Sequence, residues 1–224
     1  MILITGGAQG LGASIARIFA KNKHDILITY LTNEEKALKL QKDIIEKYKV
    51  KCIVKRLDIT CEEDVKKMFN SHNIDIVINN ASLSNDNYIE EKSFEEFMNV
   101  VKVNLGGTFL ICKYANKANC IINISSTDGI YTYSPISLDY SSSKAGIINL
   151  TKNLSLCYLD KKIYCVCPNW INTESVESMN PEYLLNEMKR IGQKELLDKD
   201  NVSKKIYELI NSNKESGSVV IIDE

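Results

Sequence analysis

Two groups of residues have types and spacings that could do chemistry. Thr5-Gly6-Gly7-Ala8-Gln9-Gly10-Leu11-Gly12 puts four glycines within seven positions, after the apolar run Ile2–Thr5 and ahead of a helical pattern over Ala13–Asn22. Without a Cβ, such a loop can turn tightly and let its backbone approach a phosphate. The helix behind it offers free N–H groups and a positive dipole end. In an α/β chain this first strand-to-helix turn is where a dinucleotide binds, although a plain turn would look the same. The second group is Tyr140 and Lys144, four residues apart and so on one face of a helix. A free phenol has a pKa of about 10. A neighbouring ammonium favours the phenolate and would tune it for acid–base work. Taken alone, the pair is more commonly an amphipathic surface pair.

Other chemistries find little support. His24 and His72 have no ligand-spaced partner, so no metal site is expected. The seven cysteines, at 52, 61, 112, 120, 157, 165 and 167, form no C-x-x-C and mostly lie in apolar stretches. They read as small buried hydrophobes in a reducing cytoplasm. Cys165 and Cys167 flank Val166 in a strand and should share a face. Lysine plus arginine number 28 against 29 aspartates and glutamates. This balance gives no bulk attraction to nucleic acid or an anionic membrane. No apolar run approaches the roughly 18 residues of a membrane helix, and no leader pattern precedes the first strand.

The elements that must position these groups are legible as periodicities. Strands are expected at Ile2–Thr5, Asp25–Tyr30, Lys51–Arg56, Ile74–Asn79, Asn119–Ser125, Ile163–Cys167 and Ser218–Ile222. These runs are continuously apolar, which suits strands buried on both faces. Ala37, Leu38, Ile44, Ile45 and Tyr48 fall on one helical face; Val65, Met68 and Phe69 on another; Val202, Ile206, Leu209 and Ile210 on a third. Alternation of strand and helix predicts one α/β domain over 1–224, a doubly wound parallel sheet of about seven strands with helices on both faces. Asn169–Asp200 reads as a helical insertion before the last helix.

The glycine spacing T-G-x-x-x-G-x-G resembles that of the short-chain dehydrogenase/reductase family, and further motifs follow in that family's order. Asp58 follows the third strand. Asn79-Asn80-Ala81-Ser82 is similar to N-N-A-G, with Ser82 as a departure. Asn104 lies in a segment like the family's helical asparagine. Ile122-Asn123-Ile124-Ser125-Ser126 resembles the strand ending in the catalytic serine, with Ser126 at the motif position. Tyr140-Ser141-Ser142-Ser143-Lys144 matches Y-x-x-x-K. Cys167-Pro168-Asn169-Trp170-Ile171-Asn172-Thr173 is similar to P-G-x-x-x-T, with Asn169 in the glycine position, where its tolerance of left-handed angles should help. The tail Ser216–Glu224 resembles the closing strand without its final glycines. Most like this chain are the 3-oxoacyl-[acyl-carrier-protein] reductases.

The resemblance implies a Rossmann-type fold and an enzyme interconverting a carbonyl and an alcohol with NADP or NAD. It implies that Tyr140 is the acid/base and Lys144 its tuner and ribose ligand. Ser126 would stabilise the substrate oxygen, and Asn104 would hold a relaying water. Gly6, Gln9, Gly10, Leu11, Gly12, Tyr30, Leu31, Asp58, Ile59, Asn80, Ala81, Ser82, Pro168, Ile171 and Thr173, with Tyr140 and Lys144, would hold the cofactor. The second strand ends Thr29-Tyr30-Leu31-Thr32-Asn33 without an acid to bind a 2′-hydroxyl, so NADP is favoured over NAD. Ser126, Asp128, Tyr133, Tyr140 and Trp170 would line the substrate pocket, with Tyr131 and Ile171 nearby, making it apolar or aromatic-tolerant. A lid is expected at 173–192. Only 22 positions separate Asn104 from Ser126, so the helix between them should be trimmed to about 104–117. Family members commonly pair through this helix, as homodimers or homotetramers. A 3-oxoacyl thioester is one candidate substrate. A free alcohol, sugar or steroid is another, since few basic residues are available to hold an acidic carrier. A non-catalytic dinucleotide sensor is the alternative from outside enzymology.

Overall fold

The computed structural model describes residues 1–223, so the final residue of the expected closing strand, Glu224, lies outside it. Seven strands form one wholly parallel sheet: β1 (Ile2–Ile4), β2 (Ile26–Tyr30), β3 (Cys52–Arg56), β4 (Ile76–Asn79), β5 (Cys120–Ile124), β6 (Lys162–Pro168) and β7 (Val219–Ile222). Their spatial order is β3-β2-β1-β4-β5-β6-β7. Each lies where the sequence predicts it, within one or two residues at the ends. The order reverses between β1 and β4. In a doubly wound sheet the ligand crevice opens at the carboxyl ends beside that reversal.

The continuous apolar runs are explained by two cores. Ile2, Ile4, Ile26, Ile28, Ile122, Ile124, Tyr164 and Val166 belong to one face. The alternating residues Leu3, Leu27, Val77, Ile121 and Ile163 belong to the other. With a side-chain period of two and helices on both faces, most strand positions call for an apolar residue. In register across the middle strands, Asn79 pairs with Asn123. The Asn79 amide donates to Asn123 Oδ1 at 2.8 Å, and the Asn123 amide donates to Thr151 Oγ1 at 2.9 Å. The chain of donors satisfies the Asn123 amide, while Asn79 Oδ1 is left buried without a partner.

The helices are α1 (Gly10–Lys21), α2 (Glu34–Tyr48), α3 (Glu62–Ser71), α4 (Phe94–Val101), α5 (Thr108–Tyr114), α6 (Leu138–Cys157), α7 (Glu174–Glu177), α8 (Pro181–Ile191) and α9 (Lys199–Leu209). A π-helical segment, Lys102–Gly107, joins α4 to α5. The expected continuous helix over 104–117 is therefore corrected: its first part is a wider turn, and it ends at Tyr114. The expected lid is two short helices. The second starts with Asn180 accepting from the Glu182 and Tyr183 amides, carries Pro181 at its first position, and stops at Gly192 in left-handed backbone. Cys165 and Cys167 do share a face, with sulfurs 3.9 Å apart. Cys157 is exposed, which corrects the expectation of burial for that cysteine.

Candidate active site

A cleft of about 670 Å³ runs across the carboxyl ends of the central strands. All seventeen residues expected at the cofactor line it, as do Ser126, Asp128, Tyr140 and Trp170. The glycine loop is shaped by contacts that exclude side chains. Gly6 has φ +60, and a Cβ there would lie 2.9 Å from the Ala81 backbone. A Cβ on Gly12 would fall 2.6 Å from both Asn80 Nδ2 and the Gly6 carbonyl. The loop is pinned from the opposite strand. Asn80 Nδ2 donates to the carbonyls of Thr5 and Gly6 at 3.0 Å each, and Thr5 Oγ1 accepts from the amides of Asn80 and Ala81. The N-terminus of α1 has no side-chain cap and no acid in its first turn. Apart from the Gly10 amide, which the Glu174 carboxylate accepts from, its first amides face an anion site. This donor set and close-fitting backbone suit a dinucleotide pyrophosphate.

At the adenosine end, Tyr30, Leu31, Thr32 and Asn33 line the cleft, and none is acidic. Two cations that linear reading did not connect to this tip flank it. Lys36, on the first turn of α2, donates to Gln9 Oε1 at 2.9 Å. Arg56, at the end of β3, donates to the Leu31 carbonyl at 3.2 Å. Asp58 lines the cleft while its Oδ1 accepts from the amide and hydroxyl of Thr60, so it also closes a local turn.

The reacting end is assembled on β5 and α6. Ser126 follows β5, and its Oγ accepts from the Asp128 amide at 3.1 Å. Ser125, one residue earlier, is turned to structure: its hydroxyl donates to the Lys144 carbonyl at 2.7 Å. Tyr140 and Lys144 stand one turn apart, with Nζ 5.2 Å from the ring centroid. Lys144 is buried, and its Nζ donates to the Ile124 carbonyl at 3.0 Å. Burial holds its pKa down at about 8 against the pull of Cys165, Cys167 and Asp128. Tyr140 moves the other way. Burial, then the Asp128 charge, push its hydroxyl up, and a hydrogen bond with Ser126 opposes them only in part. Without the nucleotide, burial and the neighbouring carboxylates thus favour the neutral phenol; the expected tuning by Lys144 together with the oxidised nicotinamide belongs to the nucleotide-bound enzyme.

Asn104 is wholly buried in the π-helical segment and does not line the cleft. Its Nδ2 donates to the Leu83 carbonyl at 2.8 Å and to Ser143 Oγ at 3.0 Å, while Oδ1 accepts from the Leu83 amide at 2.7 Å. Ser143 in turn donates to the Tyr140 carbonyl. Both amide hydrogens are thus committed to joining the loop after β4 to the tyrosine turn.

Tyr133, expected in the pocket, is not among the residues that line the cleft. The side chain is exposed, and its hydroxyl donates to the Ile130 carbonyl at 2.9 Å. Tyr131 is likewise exposed. Asn169 does not need left-handed backbone, since only Lys23 and Lys49 among described non-glycine residues have positive φ. Its Oδ1 instead accepts from the Trp170 amide and the Thr127 hydroxyl. The lining that the sequence did not disclose includes the polar Ser84, Asp86, Ser137, Glu187 and Arg190 and the apolar Val103, Val176 and Met179. The motif-free stretches of the polar ones carry no periodic signal that could have marked them.

The sequence model of a family described as short chain dehydrogenase matches residues 1–184. A 3-oxoacyl-[acyl-carrier-protein] reductase from Aquifex aeolicus is 32% identical over 193 residues, 80% of this chain and 77% of that protein. A 3beta-hydroxysteroid dehydrogenase from Eggerthella lenta is 32% identical over 186 residues, 77% of this chain and 70% of that one. A crystal structure of a short chain dehydrogenase from Burkholderia cenocepacia in complex with NADP has the same fold. Its TM-score is 0.90 at 21% identity, with 99% of this chain and 95% of that chain covered.

Proposed function

Since the chain belongs to the short-chain dehydrogenase family and is an NAD(P)-dependent oxidoreductase acting between alcohol and carbonyl groups, we propose that it reduces a small carbonyl compound with NADPH, Tyr140 supplying the proton. The observation that carries this is the placement of Tyr140, Ser126 and Lys144 together in one cleft with the glycine loop. The bound nucleotide supplies the hydride. Tyr140 would then give its proton to the oxygen on which negative charge develops, with the Lys144 ammonium beside it stabilising the phenolate left behind. Ser126 donates a hydrogen bond to that oxygen. Lys144, with a pKa of about 8, is poised to return a proton to the tyrosine. Asn104 is a positioning residue, acting through Leu83 and Ser143.

NADPH over NADH is supported by Lys36 and Arg56 beside the cleft-lining residues 30–33, none of them acidic, with the neighbouring Glu34 carboxylate taken up by the Tyr30 hydroxyl at 2.6 Å. A 2′-phosphate carries charge that these cations can meet. A homodimer or homotetramer is supported by the exposed apolar side chains of Phe94, Met98 and Phe109 on α4 and α5. A cytoplasmic enzyme fits the free cysteines; no helix among the described residues is long and apolar enough to cross a membrane. The second reading, reduction of a 3-oxoacyl thioester, is favoured by the likeness to the Aquifex aeolicus reductase.

The test is turnover with both reduced nucleotides on a panel of ketones and a 3-oxoacyl thioester, with Tyr140→Phe beside the wild type. Loss of turnover by about a thousandfold with NADPH binding retained is expected. Binding without turnover of any carbonyl would instead favour a dinucleotide sensor.

A further inference from the structure

We infer that the carbonyl substrate carries hydrogen-bond donors, hydroxyl or ammonium, on carbons beside the reacting one, and that Asp86 and Asp128 select it. This rests on the reductase reading above and concerns the same cleft. Asp128 is held next to the reacting oxygen's position, its amide bonded to Ser126 Oγ and its carboxylate accepting from Thr132 Oγ1. Asp86 lines the cleft from the loop after β4, accepting from Ser137 Oγ at 2.7 Å. Glu187 enters from α8. Arg190 is paired with Glu187, and its charge, like that of Lys144, also bears on Asp128. It meets Glu187 through Nε and Nη2, the shortest contact 2.7 Å, and donates to the Thr132 carbonyl at 3.2 Å. Once that pair is set aside, Asp86 and Asp128 each have a hydroxyl partner but no ion pair, and both charges bear on the Tyr140 hydroxyl.

Carboxylates accept and do not donate, so the groups that complete them must come with N–H or O–H. A carboxylate or phosphate on the substrate would meet like charge there, and an all-carbon chain would leave the partly buried Asp128 carboxylate unfilled beside the solvent-exposed Asp86. Trp170 offers an apolar face in the same cleft, which suits the C–H side of a small polyol or amino ketone. An apolar or aromatic-tolerant pocket was the expectation from sequence; Trp170, Ile171, Leu83, Val103, Val176 and Met179 line the cleft, Tyr131 and Tyr133 do not, and α8 adds Glu187 and Arg190.

The experiment measures kcat/KM with NADPH on matched short methyl ketones whose other end carries a methyl, hydroxyl, ammonium or carboxylate group, together with a short 3-oxoacyl thioester. The hydroxyl or ammonium ketone should exceed the methyl ketone at least tenfold, and the carboxylate should fall below it. Preference for ammonium assigns recognition to charge, and preference for hydroxyl assigns it to hydrogen bonding. Asp86→Asn and Asp128→Asn, each checked for NADPH binding, should narrow the donor-to-methyl ratio at least fivefold. A best substrate that is the methyl ketone, the carboxylate or the thioester overturns the inference and leaves the reductase reading standing. So does a ratio that neither variant moves. Turnover of none of the carbonyls by an enzyme that binds NADPH overturns both.

Discussion

Lys144→Met should make the protein more stable while destroying its activity. Lys144 is 2% exposed, and its ammonium donates to the Ile124 carbonyl and enters no ion pair among the described residues. A pKa moved from 10.5 to about 8 corresponds to roughly 3 kcal/mol spent on burying the charge, at about 1.4 kcal/mol per decade. Methionine fills similar space without charge, and the orphaned Ile124 carbonyl takes back about 1 kcal/mol. The net gain of about 2 kcal/mol should raise the thermal midpoint by roughly 4–8 °C for a chain of this size. The gain must also depend on pH. The lysine is charged in both folded and unfolded states below about pH 8, so its cost is present in full there. From about 8 towards 10.5 the unfolded chain holds the proton and the folded one releases it. Wild-type stability therefore rises with pH relative to the variant. Cys165, Cys167 and Asp128 are the titratable groups that face the amine. Calorimetric unfolding of both proteins at pH 7 and pH 10 reads the gap, which should shrink by more than half. A variant that is less stable at pH 7, or a gap that ignores pH, would refute the assignment of burial as the force on Lys144. NADPH turnover by the same variant should be lost.

Three other perturbations follow from specific contacts. Lys92 and Asp139 form a buried ion pair at 2.8 Å, and Asp139 Oδ1 accepts from the Tyr140 amide. Lys92→Met should cost about 3–5 kcal/mol in denaturant unfolding, with most of it recovered on adding Asp139→Asn; an additive double variant would contradict this. Lys36→Gln with Arg56→Gln should raise the KM for NADPH about tenfold and leave that for NADH nearly unchanged, an effect of roughly 1.4 kcal/mol. An equal rise for both nucleotides would remove these residues from 2′-phosphate recognition. The Glu174 carboxylate accepts from its own amide and that of Gly10, and lies 3.7 Å from Lys199, so it sits on an amide suited to a phosphate. Glu174→Gln should tighten NADPH binding about threefold by titration calorimetry, a small effect because the site is open to solvent. Weaker binding would mean that the carboxylate organises the loop.

Local order carried the architecture and the reacting groups into the sequence. Strands such as Ile26–Tyr30 and Cys120–Ile124 are buried on both faces, so burial alone wrote an uninterrupted apolar run. The glycines at 6 and 12 were legible because backbone pressed against Ala81 and Asn80 tolerates no side chain, a constraint on residue type at each position. Tyr140 and Lys144 were legible because a helix turn fixes their relation within five residues. What only the tertiary structure decided are relations between segments far apart in the chain. Lys36 and Arg56 come to the β2 tip because α2 and β3 pack there. The π-helical turn around Asn104 arises where the amide must reach both Leu83 and Ser143. Asp86, Asp128, Glu187 and Arg190 meet across three segments. Tyr133 is absent from the cleft lining, its hydroxyl bonded within one loop. Direction, distance and shared desolvation are properties of the packed fold. They set the shifts at Tyr140 and Lys144, and with them the chemistry that the residue types alone only permit.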